Sequence, residues 1–132
     1  MKCVQWCLLA MALMATGQTA ASPPNLGLPF MSGDTWWCAQ GWNGTTSHSG
    51  EAAWDYNYGS GADDAGFPLI AAATGRVIFA GRSKRPDGTN SPYGNVVLID
   101  YGDNYFGRLA HLSAIVVKAG ENVTQGQVVG FC

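Results

Sequence analysis

The chain has 132 residues, enough for one domain and too few for two. Hydrophobic residues make up 47% and charged residues 12%, with 18 glycines, a balance that excludes a disordered chain and favours short strands over long surface helices. A net charge of −2 with no basic run argues against nucleic acid as a partner.

The N-terminus reads as an address. Lys2 precedes an apolar run over residues 6–15, too short to span a bilayer, and small residues follow with Thr19-Ala20-Ala21 as a cleavage site. Residues 1–21 are therefore expected to be an export signal, and no transmembrane segment should remain after its removal. A membrane anchor or a buried helix fits that length less well. Export places the protein in the periplasm or outside the cell. Loss of Cys3 and Cys7 with the signal would leave Cys38 and Cys132 in an oxidising compartment, a candidate disulfide unless another partner lies elsewhere.

Residues 22–35, punctuated by Pro and Gly, read as an extended lead-in to a domain over 36–132. Residues 35–38 and 52–58 are aromatic, β-prone stretches around a Gly/Ser/Thr-rich loop at 41–50. The 59–66 loop carries Asp63-Asp64, which lack the regular oxygen spacing of a calcium site and read as solvated. Strands are expected at 69–73 and 76–80 around Thr74-Gly75, then at 95–101 and 105–112 around Gly102-Asp103-Asn104. Two more fall at 115–117 and 127–129. Residues 82–92 form a polar excursion containing Pro86-Asp87-Gly88. No helix-period segment follows residue 21. The expected fold is all-β, with short antiparallel strands.

His48 and His111 are the chain's two histidines. His48 lies in the Gly/Ser loop, and Asp55 follows in a strand between Trp54 and Tyr56. A carboxylate flanked by aromatics is expensive to bury unless partnered, and zinc takes imidazole nitrogen and carboxylate oxygen readily. An exposed Asp on the polar face of an edge strand is the competing reading. If Ala110 and Leu112 face the core, alternation puts His111 on the opposite face with Leu109 and Ser113. There it could move protons or stabilise an oxyanion.

These residues sit in a recognisable order. Ser47-His48-Ser49-Gly50 with Ala53-Trp54-Asp55-Tyr56 resembles the first metal motif of lysostaphin-type zinc metallopeptidases. The segments 67–77, Tyr93-Gly94-Asn95-Val96-Val97, Leu109-Ala110-His111-Leu112 and 117–130 resemble the segments that follow in that family. The resemblance covers about residue 37 to the end. It implies the duplicated hybrid motif fold, an antiparallel β-sheet or sandwich. It also implies His48 and Asp55 as zinc (Zn2+) ligands, His111 as a catalytic histidine, and the stem or bridge peptides of bacterial peptidoglycan as substrate.

One departure matters. The family ends in a His-x-His strand that supplies a second catalytic histidine and the third zinc ligand, and neither is present in this chain. Three protein ligands are the usual minimum for catalytic zinc, so the chain as written should have little activity. Whether a His-x-His pattern follows within roughly 10 to 20 residues after Cys132, a window set by ordinary hairpin lengths, separates the enzyme from the alternatives, and without the last strand a sheet edge is expected to stay unpaired. Two alternatives stay open. One is a non-catalytic relative that binds cell wall or regulates another hydrolase. The other, weaker one is a lipoyl- or biotinyl-type carrier, which the hairpin at 117–130 also resembles, although Glu121-Asn122 replaces the carrier lysine at its apex.

Overall fold

The structure, a computed structural model, describes the backbone of residues 4–10 and residues 23–132 in full. Among the described residues ten strands form, in chain order: β1 Val4–Ala10, β2 Trp37–Gln40, β3 Ala53–Asn57, β4 Pro68–Ile70 and β5 Gly75–Lys84. After them come β6 Asn90–Asp100, β7 Tyr105–Leu112, β8 Ala114–Ile115, β9 Asn122–Val123 and β10 Val128–Phe131. Seven make a sheet in the order β2-β3-β1-β7-β6-β5-β9 and three make a second, β4-β10-β8. Every pairing is antiparallel, and no helix occurs among the described residues. The all-β antiparallel expectation holds.

The two sheets share one core. Val77, Val97, Ile99 and Leu109 come from the large sheet, and Leu69 and Val129 from the small one; all are 1% exposed or less. Apolar residues alternate along β6 (Val97, Ile99), as a strand with one face on the core requires. Gly130 is where the small sheet needs a missing side chain, because a Cβ there would meet the Ala114 carbonyl at 2.7 Å and Leu112 Cδ1 at 3.2 Å. The lead-in is not loose: Gly27 N–H donates to the Ala72 carbonyl, Phe30 bridges to Leu69, and the Phe30 ring stacks on Trp36 at 4.9 Å.

Two features differ from the sequence expectations, and a third concerns residues 4–10. Residues 82–92 are no simple excursion: β5 and β6 stay paired out to Lys84 and Asn90, and Arg85 N–H closes the turn on the Thr89 carbonyl at 2.8 Å. Within it Asp87 Oδ1 accepts from Thr89 N–H and Oγ1, which holds the Asp87 carboxyl below its usual range. Asp64 is buried at 5% exposure rather than solvated, while Asp63 is exposed and accepts from Ser60 N–H. Finally, Val4–Ala10, part of the expected export signal, lies between β3 and β7 with ladders to both. An apolar run suited to a translocation signal is equally suited to a strand buried on two sides. The expected cleavage site at residues 19–21 lies outside the described residues.

Candidate metal centre

The loop over residues 41–51 brings His48 to the sheet. His48 N–H donates to the Gly44 carbonyl at 3.0 Å and its own carbonyl accepts from Glu51 N–H at 2.9 Å, so the backbone on both sides is tied down. The Asn43 side chain accepts from Gly50 N–H at 3.0 Å, pinning the loop's far arm. The imidazole is completely buried.

Its two nitrogens face different partners. Nδ1 lies 3.1 Å from the Gly41 carbonyl, an acceptor only, so Nδ1 carries the proton and donates. With a single proton on the ring, Nε2 then presents a lone pair. That atom sits 3.1 Å from Asp55 Oδ1, yet makes no hydrogen bond of acceptable geometry. Asp55, on β3, is 1% exposed.

Two buried acceptors at that distance repel unless a cation stands between them or the ring takes a second proton. Zinc bound by imidazole nitrogen and carboxylate oxygen satisfies both, with the Gly41 carbonyl orienting the ring from behind. The donor set therefore fits two positions of a zinc site. Among the described residues, no third His, Cys, Asp or Glu completes a metal-binding group.

His111 ends β7 in an unusual way. Its φ is +62°, in the left-handed region that few non-glycine residues occupy. Cross-strand partners explain this. Leu112 pairs with Asn95 and Leu109 with Val97, so two residues, Ala110 and His111, stand opposite Val96 alone. Asn95 Nδ2 donates to the Leu112 carbonyl at 2.8 Å, fixing the chain beyond the bulge. The bulge corrects the alternation reading, since Leu109 and Leu112 are both in the core and only His111 is turned partly outward. Opposite it, Gly94 has φ +66°, and a Cβ there would lie 3.8 Å from His111 Cα.

The sequence reading missed one cluster. Arg108 stacks over Tyr93, 4.0 Å from the ring centroid, and its Nη2 lies 3.5 Å from Glu51 Oε2. The Tyr93 hydroxyl donates to Glu51 Oε1 at 3.2 Å. Glu51 also holds the loop backbone, so β6, β7 and the His48 loop meet at one carboxylate. A lone arginine in the apolar stretch Tyr105–Leu112 was the signal available.

The candidate pairing of Cys38 with Cys132 does not form. Cys38 is an exposed free thiol on the edge strand β2, whereas Cys132 is buried at the end of the small sheet and disulfide-bonded to a partner outside the described side chains. Beside Cys38, Tyr56 has its phenol raised above the ordinary value, first by burial and then by the Cys38 charge.

The profile of Peptidase family M23 matches residues 54–132, more than half of the chain. Among curated proteins, Peptidoglycan DD-endopeptidase ShyA of Vibrio cholerae is 38% identical over 67 residues, 50% of this chain and 14% of that protein. Murein hydrolase activator NlpD of Escherichia coli is 34% identical over 68 residues, 52% of this chain and 16% of that protein. Lipoprotein NlpD of Yersinia enterocolitica is 32% identical over 68 residues, 52% of this chain and 64% of that protein. The matches thus span less than two thirds of each relative. One is named an endopeptidase and another an activator, and their shared ground is the bacterial cell wall. The chain belongs to Peptidase family M23.

Proposed function

We propose that this chain is a zinc-dependent peptidoglycan endopeptidase domain acting outside the cytoplasm on the stem or bridge peptides of the cell wall. The observation that carries the reading is the buried His48–Asp55 pair, with Nδ1 tied to the Gly41 carbonyl and Nε2 presented to Oδ1. His48 Nε2 and Asp55 would hold the metal, and a third ligand would come from outside the described residues. When bound, zinc would supply an acidified water and a polarised scissile carbonyl. His111 would then move a proton to or from the reacting peptide, or donate a hydrogen bond to the developing oxyanion. Its place on a bulge, at a strained φ, suits a side chain aimed by the backbone.

A second reading has its own support. His48 and His111 are the chain's two histidines, no three-ligand group occurs among the described residues, and a relative is named a murein hydrolase activator. In that case the same fold would bind cell wall or regulate another hydrolase without cutting.

Purified peptidoglycan incubated with zinc-loaded protein that also carries the third ligand separates the two. New free amino groups, lost on chelation and restored by zinc, support the endopeptidase. Binding to the sacculus without release of amino groups supports the regulator.

A further inference from the structure

A second site lies on the sheet face that carries Asp55. Directly opposed residues of an antiparallel ladder share a face. Ala53 pairs with position 7 of β1, position 7 with Arg108, Arg108 with Leu98, and Leu98 with Phe79. Asp55 stands two residues from Ala53 on the same strand and so on the same face. At the far end of this row is a cavity of about 320 Å³, with Phe79, Val96 and Leu98 as apolar lining and Arg82, Lys84 and Arg108 as cationic lining.

The charges are unevenly matched. Glu51 Oε2 accepts from Arg108 Nη2 at 3.5 Å in an ion pair, while the buried Nε of Arg108 has no hydrogen-bond partner. Neither Arg82 nor Lys84 has an acidic partner among the described residues. Three cations beside one acid, over an apolar floor, leave a net positive pocket that is joined to the His48 loop through the Arg108–Glu51 pair. Lysine or arginine also discourages edge pairing, which accounts for Arg82 and Lys84 on the part of β5 beyond its short ladder with β9 but not for Arg108, since β7 has a strand on either side.

We propose that this pocket binds a peptide carboxylate, so that the enzyme recognises a free acid near the bond it cuts. The proposal rests on the endopeptidase reading for its substrate. Strands stand about 4.8 Å apart, so Arg108 on β7 lies about 10 Å from β3 across β1. An extended peptide advances about 3.3 Å per residue, which places the recognised carboxylate about three residues from the reacting carbonyl. Arg108, Arg82 and Lys84 supply the charge that attracts the carboxylate, and Phe79 and Leu98 take the adjoining apolar side chain.

The test is an NMR titration of the zinc-free, isotope-labelled chain with N-acetyl-D-alanyl-D-alanine, with its C-terminal amide, and with inorganic phosphate. Saturable shifts at Ser83, Val96 and Leu98 are expected for the acid. Binding should be at least about tenfold weaker for the amide, since a charged hydrogen bond is roughly twice as strong as a neutral one. It should also weaken in R82Q/K84Q, whose exposed positions leave the fold intact, as the dispersion of the spectrum would show. Equal binding of acid and amide, shifts elsewhere, or full saturation of the same residues by phosphate would overturn the proposal. The two readings fail separately. A chain that binds the acid but releases nothing from peptidoglycan loses only the endopeptidase reading. One that cuts acid and amide substrates alike, with no shifts in the pocket, loses only this one.

Discussion

His48 Nε2 points at Asp55 Oδ1 across 3.1 Å, both side chains buried, without the geometry of a hydrogen bond. Seven positions separate them in sequence (55 − 48); backbone bonds to Gly44 and Glu51 fasten His48 on both sides, and between them Ala53 is buried and Trp54 packs against the core. A site held this way is set up before any ligand arrives. Preorganisation of that kind lets two ligands bind without first ordering the chain.

His48→Ala and Asp55→Ala should each lower zinc affinity by more than the roughly 10–100-fold typical of losing an outer-shell partner. Competition against a chromogenic chelator measures this. Asp55→Asn keeps the shape and removes the charge, so it should weaken zinc while leaving the fold intact. Unchanged affinity in all three variants would place the metal elsewhere.

His111 separates chemistry from backbone strain. A left-handed φ at a residue with a Cβ costs about 1–2 kcal/mol, and glycine is free of that cost. His111→Gly should therefore be at least as stable as the parent towards urea, and His111→Ala less stable than His111→Gly. If the imidazole moves protons, both variants should lose peptidoglycan hydrolysis by about 100-fold or more. Activity that survives in both would make the histidine a feature of the bulge alone.

Much of this could be read in the sequence, and the failures have physical causes. β-branched and aromatic runs located β3, β6 and β7, and motif order brought His48 to Asp55. Alternation failed at Ala110-His111 because a bulge inserts one residue and moves Leu109 to the core, and nothing in Leu109-Ala110-His111-Leu112 marks the insertion. The burial of Asp64 was hidden because its loop composition is that of a solvated turn. Arg108 was overlooked because its partners, Tyr93 and Glu51, lie 15 (108 − 93) and 57 residues away and meet only through the sheet and the His48 loop. Apolar composition alone could not separate a translocation signal from a central strand at residues 4–10.

That last ambiguity can be measured. A chain starting at Ser22 lacks the strand between β3 and β7 and so exposes two unpaired ladders. It should unfold at a midpoint well below that of the full chain, by more than about 10 °C, since about 1 kcal/mol moves a domain of this size by several degrees. A synthetic peptide of residues 4–10 added in trans should restore part of the loss by strand addition. Equal midpoints with and without residues 1–21 would show that the slot does not need this strand.

The small sheet offers an independent check on packing. Gly130 lies at the crossing of β10 with β4 and β8, where a Cβ would approach the Ala114 carbonyl to 2.7 Å and Leu112 Cδ1 to 3.2 Å. The leucine methyl can shift by a few tenths of an ångström, but the carbonyl is held by the β8–β10 pairing. Gly130→Ala should therefore cost about 1–3 kcal/mol, the usual range for overpacking a core. Because Leu112 directly follows His111, the displacement should also disturb the bulge. A loss of hydrolysis larger than the loss of folded protein, both measured at 25 °C, would show that the small sheet holds His111 in place. A proportional loss would confine Gly130 to packing.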